Sequence, residues 1–495
     1  MKTIYNSLII GFLIVAFVSC NDELTQEPIG LLTLDQIDTT PTINTLESSV
    51  SSSYQLLASS LNLIGNWDWD GGAVLRNDFI LQDIASNDMN KKWNPDGDQA
   101  WMDEFTNFSF TPSNGAFNGI WLYDYEGINR VNLAISYLTN NEVTQMVGIS
   151  DTRKNQLLGE AYFLRAFYYF DLTNNFGDVP LLLTPLKSFE DAFEVAVRIS
   201  KEEIMSQINS DLLEAKTLLP NVKYTDPSEP WRVSKGAVIG LQAKVALYNE
   251  NWSEVISLIS ELDGLGFYSL NANYFDSFDV SKEFSENEVI FAYDHVSNQN
   301  PRNGNGLCAL IGWGFVAPST DFINSFEAND PRLLYTVDVP NQNVSKLLGN
   351  ISGANKGNDD APSNKIFIRY ADVLLWKAEA LNETGDYAGA ITIINKIRER
   401  ARTSPTADGS ITPIGALPDR GNSTNSVEIK GWIMSERRVE LGFESHRFND
   451  LKRWGTAKTV LTDLGSNFQD YNYLYPIPQG EIDKSGGTIT QNAGY

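Results

Sequence analysis

The sequence predicts an all-α fold, built from helix pairs that carry long inserted loops and a few short strands. Apolar residues recur at helical spacing in several segments, most clearly in residues 157–183, where Leu157, Ala161, Leu164 and Tyr168 follow one another. Two later segments repeat a helix–turn–helix pattern, and long stretches rich in Gly, Asn and aromatic residues separate them. These observations indicate a right-handed scaffold of tetratricopeptide-like helix pairs.

The composition and net charge of the chain argue against several classes of binding partner and site. The 495 residues include 37 Lys and Arg against 63 Asp and Glu, for a net charge of −26. This balance argues against nucleic acid and anionic lipid headgroups as partners, because both attract a positive surface. His295 and His446 are the only histidines, which excludes a His-rich zinc site, and the sequence has no phosphate-binding glycine loop or nucleophile elbow.

The N-terminus has the layout of an export signal. Lys2 precedes an apolar run from Leu8 to Val18, which is shorter than the roughly 20 residues that a transmembrane helix needs. We therefore predict a signal peptide at residues 1–19, followed by a polar tether at residues 20–40.

The residues around the first cysteine predict a lipid anchor. Phe17-Val18-Ser19-Cys20 resembles a bacterial lipobox, in which Cys20 is lipidated and becomes the mature N-terminus, and Asn21-Asp22-Glu23 is similar to the tag that sends such lipoproteins to the cell surface. Two or three acyl chains, palmitate among them, would anchor the protein stably in the outer membrane, whereas one chain holds only marginally. Lipidation of Cys20 leaves Cys308 without a disulfide partner. An ordinary cleaved signal is the alternative.

Apolar spacing predicts single helices early in the chain and helix pairs later. The helix within residues 157–183 must end by Asn175, because Gly177 supplies a turn and Pro180 cannot continue a helix. Each helix pair carries an aromatic residue, Trp252 or Tyr387, in its polar turn. The other single helices are expected at residues 41–63, 121–138 and 201–219, and the pairs at residues 243–259 and 378–394.

An irregular stretch at residues 64–118 contains the first candidate binding residues. Its tryptophans lie among Asn, Asp and Gly without a sustained period, unlike those of a core helix or strand. A flat aromatic face suits the C–H face of a sugar ring, and neighbouring Asn and Asp side chains suit its hydroxyl groups. The alternative is that these side chains fix a long loop onto the helices. The candidates are Trp67, Trp69, Trp93 and Trp101.

The same stretch contains part of a calcium-loop pattern. Asn66, Asp68, Asp70 and Gly71 occupy positions 1, 3, 5 and 6 of that pattern, but position 12 is Asn77 instead of the bidentate Glu that the loop requires. Asp68 and Asp70 therefore remain calcium candidates beside the alternative that this Trp-Asp alternation forms a strand or hairpin. We predict no other metal or cofactor.

Several long motifs resemble the SusD/RagB family of outer-membrane nutrient-binding lipoproteins. The family's hallmark is similar to EAYFLRAFYYFDLTNNFGDVPLLL at residues 160–183. Its C-terminal helices are similar to IRYADVLLWKAEALNETGD at residues 368–386 and MSERRVELGFESHRFNDLKRWG at residues 434–455. The resemblance spans nearly the whole mature chain. It implies an N-terminal part at residues 41–230 and a C-terminal part at residues 231–495, joined in one globular unit.

The resemblance also implies a function. Members capture a substrate, usually a glycan, at the cell surface and deliver it to a partner TonB-dependent, SusC-like transporter. By this resemblance Asp88 is a further binding candidate, and the irregular stretch 264–365 lies near the family's ligand surface. Tyr293, Trp313 and Phe315 in that stretch are a second set of binding candidates, and the alternative is that these side chains only anchor the loop. The alternatives are a family member that binds peptides, a surface glycosidase, and an adaptor that binds only protein.

One pair of carboxylates has the spacing of a glycosidase site. Glu436 and Glu440 lie one helical turn apart, close to the ~5–5.5 Å carboxyl separation of a retaining enzyme. Arginines lie between and beside them in the sequence, and cations lower carboxylate pKa values, whereas an acid catalyst needs a raised pKa. We therefore predict a structural ion-pair network and no enzymatic activity. Similar reasoning applies to Glu160 and Arg165.

Overall fold

The computed structural model describes residues 41–65, 67–92, 97–186 and 189–495, without the side chains of residues 189 and 190. The predicted signal peptide and tether, with Cys20, lie outside the described residues. Within those ranges, every helix is too short or too polar to cross a membrane.

The architecture is helical. The α-helices of the described chain are, in order, α1 (Ile43–Tyr54), α2 (Asp103–Asn107), α3 (Asn118–Thr139), α4 (Asn141–Val147), α5 (Asp151–Phe176), α6 (Phe189–Glu194), α7 (Lys201–Leu218), α8 (Lys235–Tyr248), α9 (Trp252–Gly264), α10 (Leu307–Trp313), α11 (Thr320–Asn324), α12 (Arg332–Thr336), α13 (Tyr370–Glu383), α14 (Tyr387–Thr403), α15 (Ser426–Glu440), α16 (Arg447–Arg453), α17 (Ala457–Asp463) and α18 (Gln479–Lys484). The predicted all-α fold class is confirmed.

Short strands join loops in antiparallel pairs. The strands are β1 (Met89–Asn90), β2 (Val179–Pro180), β3 (Arg198–Ile199), β4 (Val289–Tyr293), β5 (Ala317–Pro318), β6 (Val337–Asp338), β7 (Asn343–Val344) and β8 (Lys365–Arg369). They pair as β1 with β5, β2 with β3, β4 with β8 and β6 with β7. In the β1–β5 pair, Met89 lies opposite Pro318, which ties the first irregular stretch to the second.

Helix α5 is the centre of the N-terminal core. Ser150 caps it by accepting a hydrogen bond from the Arg153 N–H at 3.2 Å, and Gly177, at φ +76°, ends it one residue later than predicted. It packs closely on α3, where a Cβ on Gly127 would lie only 2.5 Å from the Tyr168 ring. Tyr168 is fully buried, as are most apolar side chains of α5, and each such burial contributes roughly 1.5–3 kcal/mol.

The helix pairs α8–α9 and α13–α14 form where the sequence predicts them. Trp252 and Tyr387 are the first residues of the second helix in each pair. Asp386 caps α14 by accepting a hydrogen bond from the Gly389 N–H at 2.9 Å. The first predicted helix, in contrast, ends at Tyr54 and continues only as a 3₁₀ turn to Leu57.

The segment at residues 434–455 is two helices and not one. Helix α15 ends at Glu440 and α16 begins at Arg447, because Phe443 and Ser445 adopt left-handed conformations with φ of +67° and +59°. His446 immediately precedes α16, and it is buried with Nε2 3.6 Å from an Asp372 carboxylate oxygen.

Polar contacts join the N-terminal part of the fold, near residue 80, to the C-terminal part. The Tyr475 hydroxyl donates to the Leu81 carbonyl at 2.6 Å, and the Ser445 hydroxyl lies 3.1 Å from an Asp83 carboxylate oxygen. These contacts join a short π-helix, Phe79–Ile84, to the loops that connect the C-terminal helices, so part of the stretch 64–118 is fixed to the C-terminal part.

Candidate functional site: an aromatic platform

Two irregular stretches bring aromatic rings together on the surface. The Trp69 ring stacks on that of Phe315, with centroids 5.8 Å apart and an interplanar angle of 23°, and it meets Trp313 at 6.4 Å and 59°. Trp313 is 46% exposed, and Trp67, two residues before Trp69, is 51% exposed. We call Trp67, Trp69, Trp313 and Phe315 the aromatic platform. Both predicted sets of candidates contribute to it.

A tight turn presents the first half of the platform. Trp67 has a left-handed backbone, with φ +56°, and its N–H donates to Asn62 Oδ1 at 2.6 Å. The Trp69 N–H then donates to the Trp67 carbonyl, and the Gly72 N–H donates to the Trp69 carbonyl, both at 3.0 Å. The predicted strand or hairpin is therefore wrong, because successive turns use the backbone groups that strand pairing would need.

Close backbone contact seats this turn on the start of α3. Gly72 has φ +70°, and a Cβ there would lie 1.9 Å from the Gly115 carbonyl oxygen. The buried Asn77 amide donates to the carbonyls of Gly72 at 2.8 Å and Ala116 at 3.0 Å, and the Asn118 amide donates to that of Gly71 at 3.0 Å. The turn is thus fixed to a helix that belongs to the core.

Helix α10 presents the second half. Gly314, at φ +86°, ends this helix, and the Phe315 N–H returns to the Leu310 carbonyl at 2.9 Å. A Cβ on Gly312 would lie 2.3 Å from Gly357 Cα, so the helix contacts the following loop directly through backbone. Trp313 and Phe315 are consequently held at fixed positions beside Trp69.

The remaining predicted binding residues lie apart from the platform. Tyr293 is buried, and its hydroxyl donates to Asn303 Oδ1 at 2.6 Å, so its face is not available for stacking. Trp101 is half-buried, with its indole N–H donating to Gln99 at 2.7 Å. Trp93 lies outside the described residues.

Asp88 is a structural residue in this fold. It is 1% exposed, and its Oδ1 accepts hydrogen bonds from Arg438 Nε at 2.9 Å and Nη2 at 2.7 Å. Its backbone carbonyl also accepts from the Ser319 N–H at 2.9 Å, next to the β1–β5 pair. The structure therefore contradicts its assignment as a surface acid that binds ligand hydroxyls.

The described residues of the calcium-loop pattern do not come together as ligands of a metal ion. Asp68 and Asp70 are exposed, Asp68 Oδ1 accepts from the Gly71 N–H at 2.9 Å, and Asn77 is committed to backbone carbonyls. Asn66 lies outside the described residues. Across the described ranges, no three Asp, Glu, His or Cys side chains are grouped to hold a metal ion.

The Glu436–Glu440 pair lies inside an arginine network. Arg332 bridges the two carboxylates, with Nη1 at 2.6 Å from Glu436 and 3.0 Å from Glu440, and Arg369 and Arg400 also bind Glu440. Burial alone raises the Glu440 carboxyl pKa, but Arg400, Arg369 and Arg332 together hold it well below its usual range. The predicted structural network is confirmed, although its arginines come from other segments of the chain.

Glu160 and Arg165 do not pair with each other. Glu160 binds Arg232 at 2.8 Å and accepts from the Tyr54 hydroxyl at 2.7 Å, while Arg165 binds Asp211 at 2.7 Å. Each therefore belongs to a separate buried ion pair that links α5 to a neighbouring segment.

Two cavities lie away from the platform. A cavity of ≈110 Å³ is lined by apolar side chains and by charged ones, among them Arg76, Asp78 and Lys365, in which Asp78 pairs with both cations. A surface groove of ≈550 Å³ is lined mainly by apolar side chains, among them Trp121 and Phe193. Sequence patterns predicted neither, because their walls come from segments far apart in the chain.

Two family models match the chain. A model described as starch-binding associating with outer membrane matches residues 37–247, and the SusD family model matches residues 335–495. The first match contains α5 and the loop of Trp67 and Trp69, and the second contains α13 to α18.

Relatives and solved structures agree with these matches over nearly the whole chain. The SusD-like protein P2 of Formosa agariphila is 24% identical over 534 residues, which covers 98% of each chain. Surface glycan-binding protein A from Bacteroides fluxus superposes with a TM-score of 0.75 at 24% identity, over 92% of this chain and 100% of that one. Surface glycan-binding protein A from Bacteroides thetaiotaomicron, in complex with laminarihexaose, gives 0.69 at 21% identity, over 91% and 99%. At these identities the structures establish the fold.

Proposed function

Because this chain belongs to the SusD/RagB family, we propose that it binds an oligosaccharide or polysaccharide at the cell surface and delivers it to a partner TonB-dependent, SusC-like transporter. The observation that carries this proposal is the aromatic platform. Its exposed indole rings, held by a rigid turn and a capped helix, offer apolar faces for sugar rings and polar neighbours for hydroxyl groups.

The position of the platform supports a surface role. Helices α1 and α3 run antiparallel, since Arg130 Nη1 donates to the Ser52 carbonyl at 3.0 Å and Asp124 lies near Leu56 through Arg76. The described chain therefore begins near the C-terminal end of α3, whereas the platform lies at its N-terminal end. With 22 residues, α3 is about 33 Å long. The platform therefore lies about one length of α3 from the point where the described chain begins.

The chemistry of the carboxylates supports binding without catalysis. A glycosidase needs a carboxylic acid that is protonated near neutral pH. The pair that sequence spacing singled out, Glu436 and Glu440, does not supply such an acid, because the arginines around Glu440 lower its pKa. For this pair, an ion-paired structural role agrees with the proposed binding and release of an unaltered glycan.

Affinity electrophoresis tests the proposal. Native gels containing a panel of neutral and acidic polysaccharides should retard the wild-type protein, and Trp313→Ala should reduce that retardation, because an exposed stacking ring contributes about 0.5–1.5 kcal/mol. Phe193→Ala, which removes another exposed aromatic ring, is the matched control. Absence of retardation on every polysaccharide would refute glycan binding, and unchanged retardation of Trp313→Ala would refute the platform. Release of reducing ends from a retained glycan would refute the non-catalytic role, and failure to co-purify with a TonB-dependent transporter from native outer membranes would refute delivery to that partner.

A further inference from the structure

Two carboxylates flank the central ring of the platform. Asp68 and Asp70 are the immediate neighbours of Trp69, and both are exposed. The Asp68 carboxylate is fixed, because Oδ1 accepts the Gly71 N–H at 2.9 Å and Oδ2 lies over Gly71, only 1.8 Å from where a Cβ would be. Within the described chain, neither carboxylate takes part in an ion pair.

The nearby positive charge does not balance these carboxylates. Lys356 is exposed and adjoins Gly357, the residue that contacts Gly312 at the base of the Trp313 side. Lys92 lies close to Lys356, and Asp338 lies close to Lys92, so these two lysines face three carboxylates in all, and the whole chain carries −26. A ligand on the platform therefore meets a locally negative surface.

We propose, on the basis of the function proposed above, that Asp68 and Asp70 make the platform selective for uncharged glycans by repelling polymers that carry carboxylate or sulfate groups. Adjacent Cα atoms are ~3.8 Å apart and each side chain extends several Å further, so a sugar stacked on Trp69 lies within roughly 10–15 Å of both carboxylates, inside the Debye length of about 20 Å at 20 mM salt. At low salt, the two charges together lower the affinity for a polyanionic glycan roughly five- to tenfold.

The test compares one polymer in two charge states. Calorimetry measures Kd for laminarin and carboxymethyl-laminarin, at 20 mM and at 500 mM salt; if the gel panel retards the protein on another neutral polysaccharide, that polymer and its carboxymethyl derivative replace them. The variant is Asp68→Asn with Asp70→Asn, since an Asn at position 68 keeps the acceptor for the Gly71 N–H and removes only the charge. Glu214→Gln with Asp463→Asn removes the same charge from α7 and α17 and is the control.

The ratio of the two Kd values is the readout. The wild-type protein should prefer the neutral polymer, most strongly at low salt, and the platform variant should reduce that preference roughly five- to tenfold while the control variant keeps it. An equal ratio in the wild-type and platform variants would overturn the inference, as would a wild-type preference for the acidic polymer. Failure of the wild-type protein to bind any polysaccharide would refute the proposed function itself and is distinguishable from both.

Discussion

Replacing Glu440 by Gln separates a structural role from a catalytic one. Glu440 is fully buried and binds three guanidinium groups, from Arg332, Arg369 and Arg400. The substitution keeps the shape of the side chain and removes its charge, so three buried cations lose their shared counter-ion. Glu436 and Glu444 remain as partners of Arg332 and Arg369, whereas Arg400 retains only Glu288.

The expected loss of stability is large. Breaking a buried ion pair by neutralising one partner costs about 3–5 kcal/mol, because a buried charge is left uncompensated. The entropy of unfolding grows with chain length, so for a protein of this size the melting temperature should fall by about 4 °C. Glu383→Gln, which removes a partly exposed carboxylate paired with Lys430, should cost less than about 1 kcal/mol.

Two assays decide between the roles. Thermal unfolding followed by circular dichroism should place Glu440→Gln clearly below both the wild-type and Glu383→Gln proteins. A reducing-end assay on bound glycan should give no turnover with any of the three. Our reasoning is refuted if Glu440→Gln melts like the control, and a wild-type hydrolytic activity that this variant loses would identify Glu440 as catalytic.

Three further predictions follow from single residues. Burial opposes ionisation of Asp450, but Arg437 and Arg453 hold its pKa at about 2, below the ~3.9 of an unfolded chain. Its contribution of roughly 2.6 kcal/mol is present above pH 4 and lost as the pH falls towards 2, so Asp450→Asn should flatten the fall in melting temperature between pH 4 and pH 2. Gly72→Ala should lower both the melting temperature and the glycan affinity, because the added Cβ would clash with the Gly115 carbonyl. Gly409→Ala is the control, since Gly409 also has a positive φ but has open space around it, and it should change glycan affinity little. Equal effects of the two substitutions on glycan affinity would contradict the claim that the close contact of Gly72 positions the platform. Asp88→Asn should lower the melting temperature, because it weakens the ion pair with Arg438 at a cost of about 1–3 kcal/mol. The folded variant should keep the glycan Kd of the wild-type protein. A loss of glycan affinity without a loss of stability would instead identify Asp88 as a binding residue.

Periodicity predicted the scaffold well because helical spacing is a local property. Helix α5 and the pairs α8–α9 and α13–α14 follow from apolar side chains three or four residues apart, and tertiary packing agrees with that pattern. The break between α15 and α16 was not predicted. The residues with left-handed backbone there are Phe443 and Ser445, which are residue types that do not indicate such a conformation.

Composition predicted the rings of the site but not how they combine. Trp69 and the pair Trp313 and Phe315 were each unusual among polar neighbours, yet their meeting depends on the β1–β5 pairing and on glycine contacts that have no local signal. Burial of Asp88 and Tyr293 likewise depends on tertiary contacts, which are with Arg438, 350 residues later in the chain, and with Asn303 in a following loop. Sequence position alone could not separate these two residues from surface ligands.

A crystal structure of the protein with the polysaccharide fragment that it retains in gels tests the central claim most directly. We predict that a sugar ring lies against the faces of Trp69 and Trp313, with neighbouring rings extending towards Trp67 or Phe315. A glycan bound elsewhere, for example in the groove lined by Trp121 and Phe193, with the platform left open to solvent, would contradict the assignment.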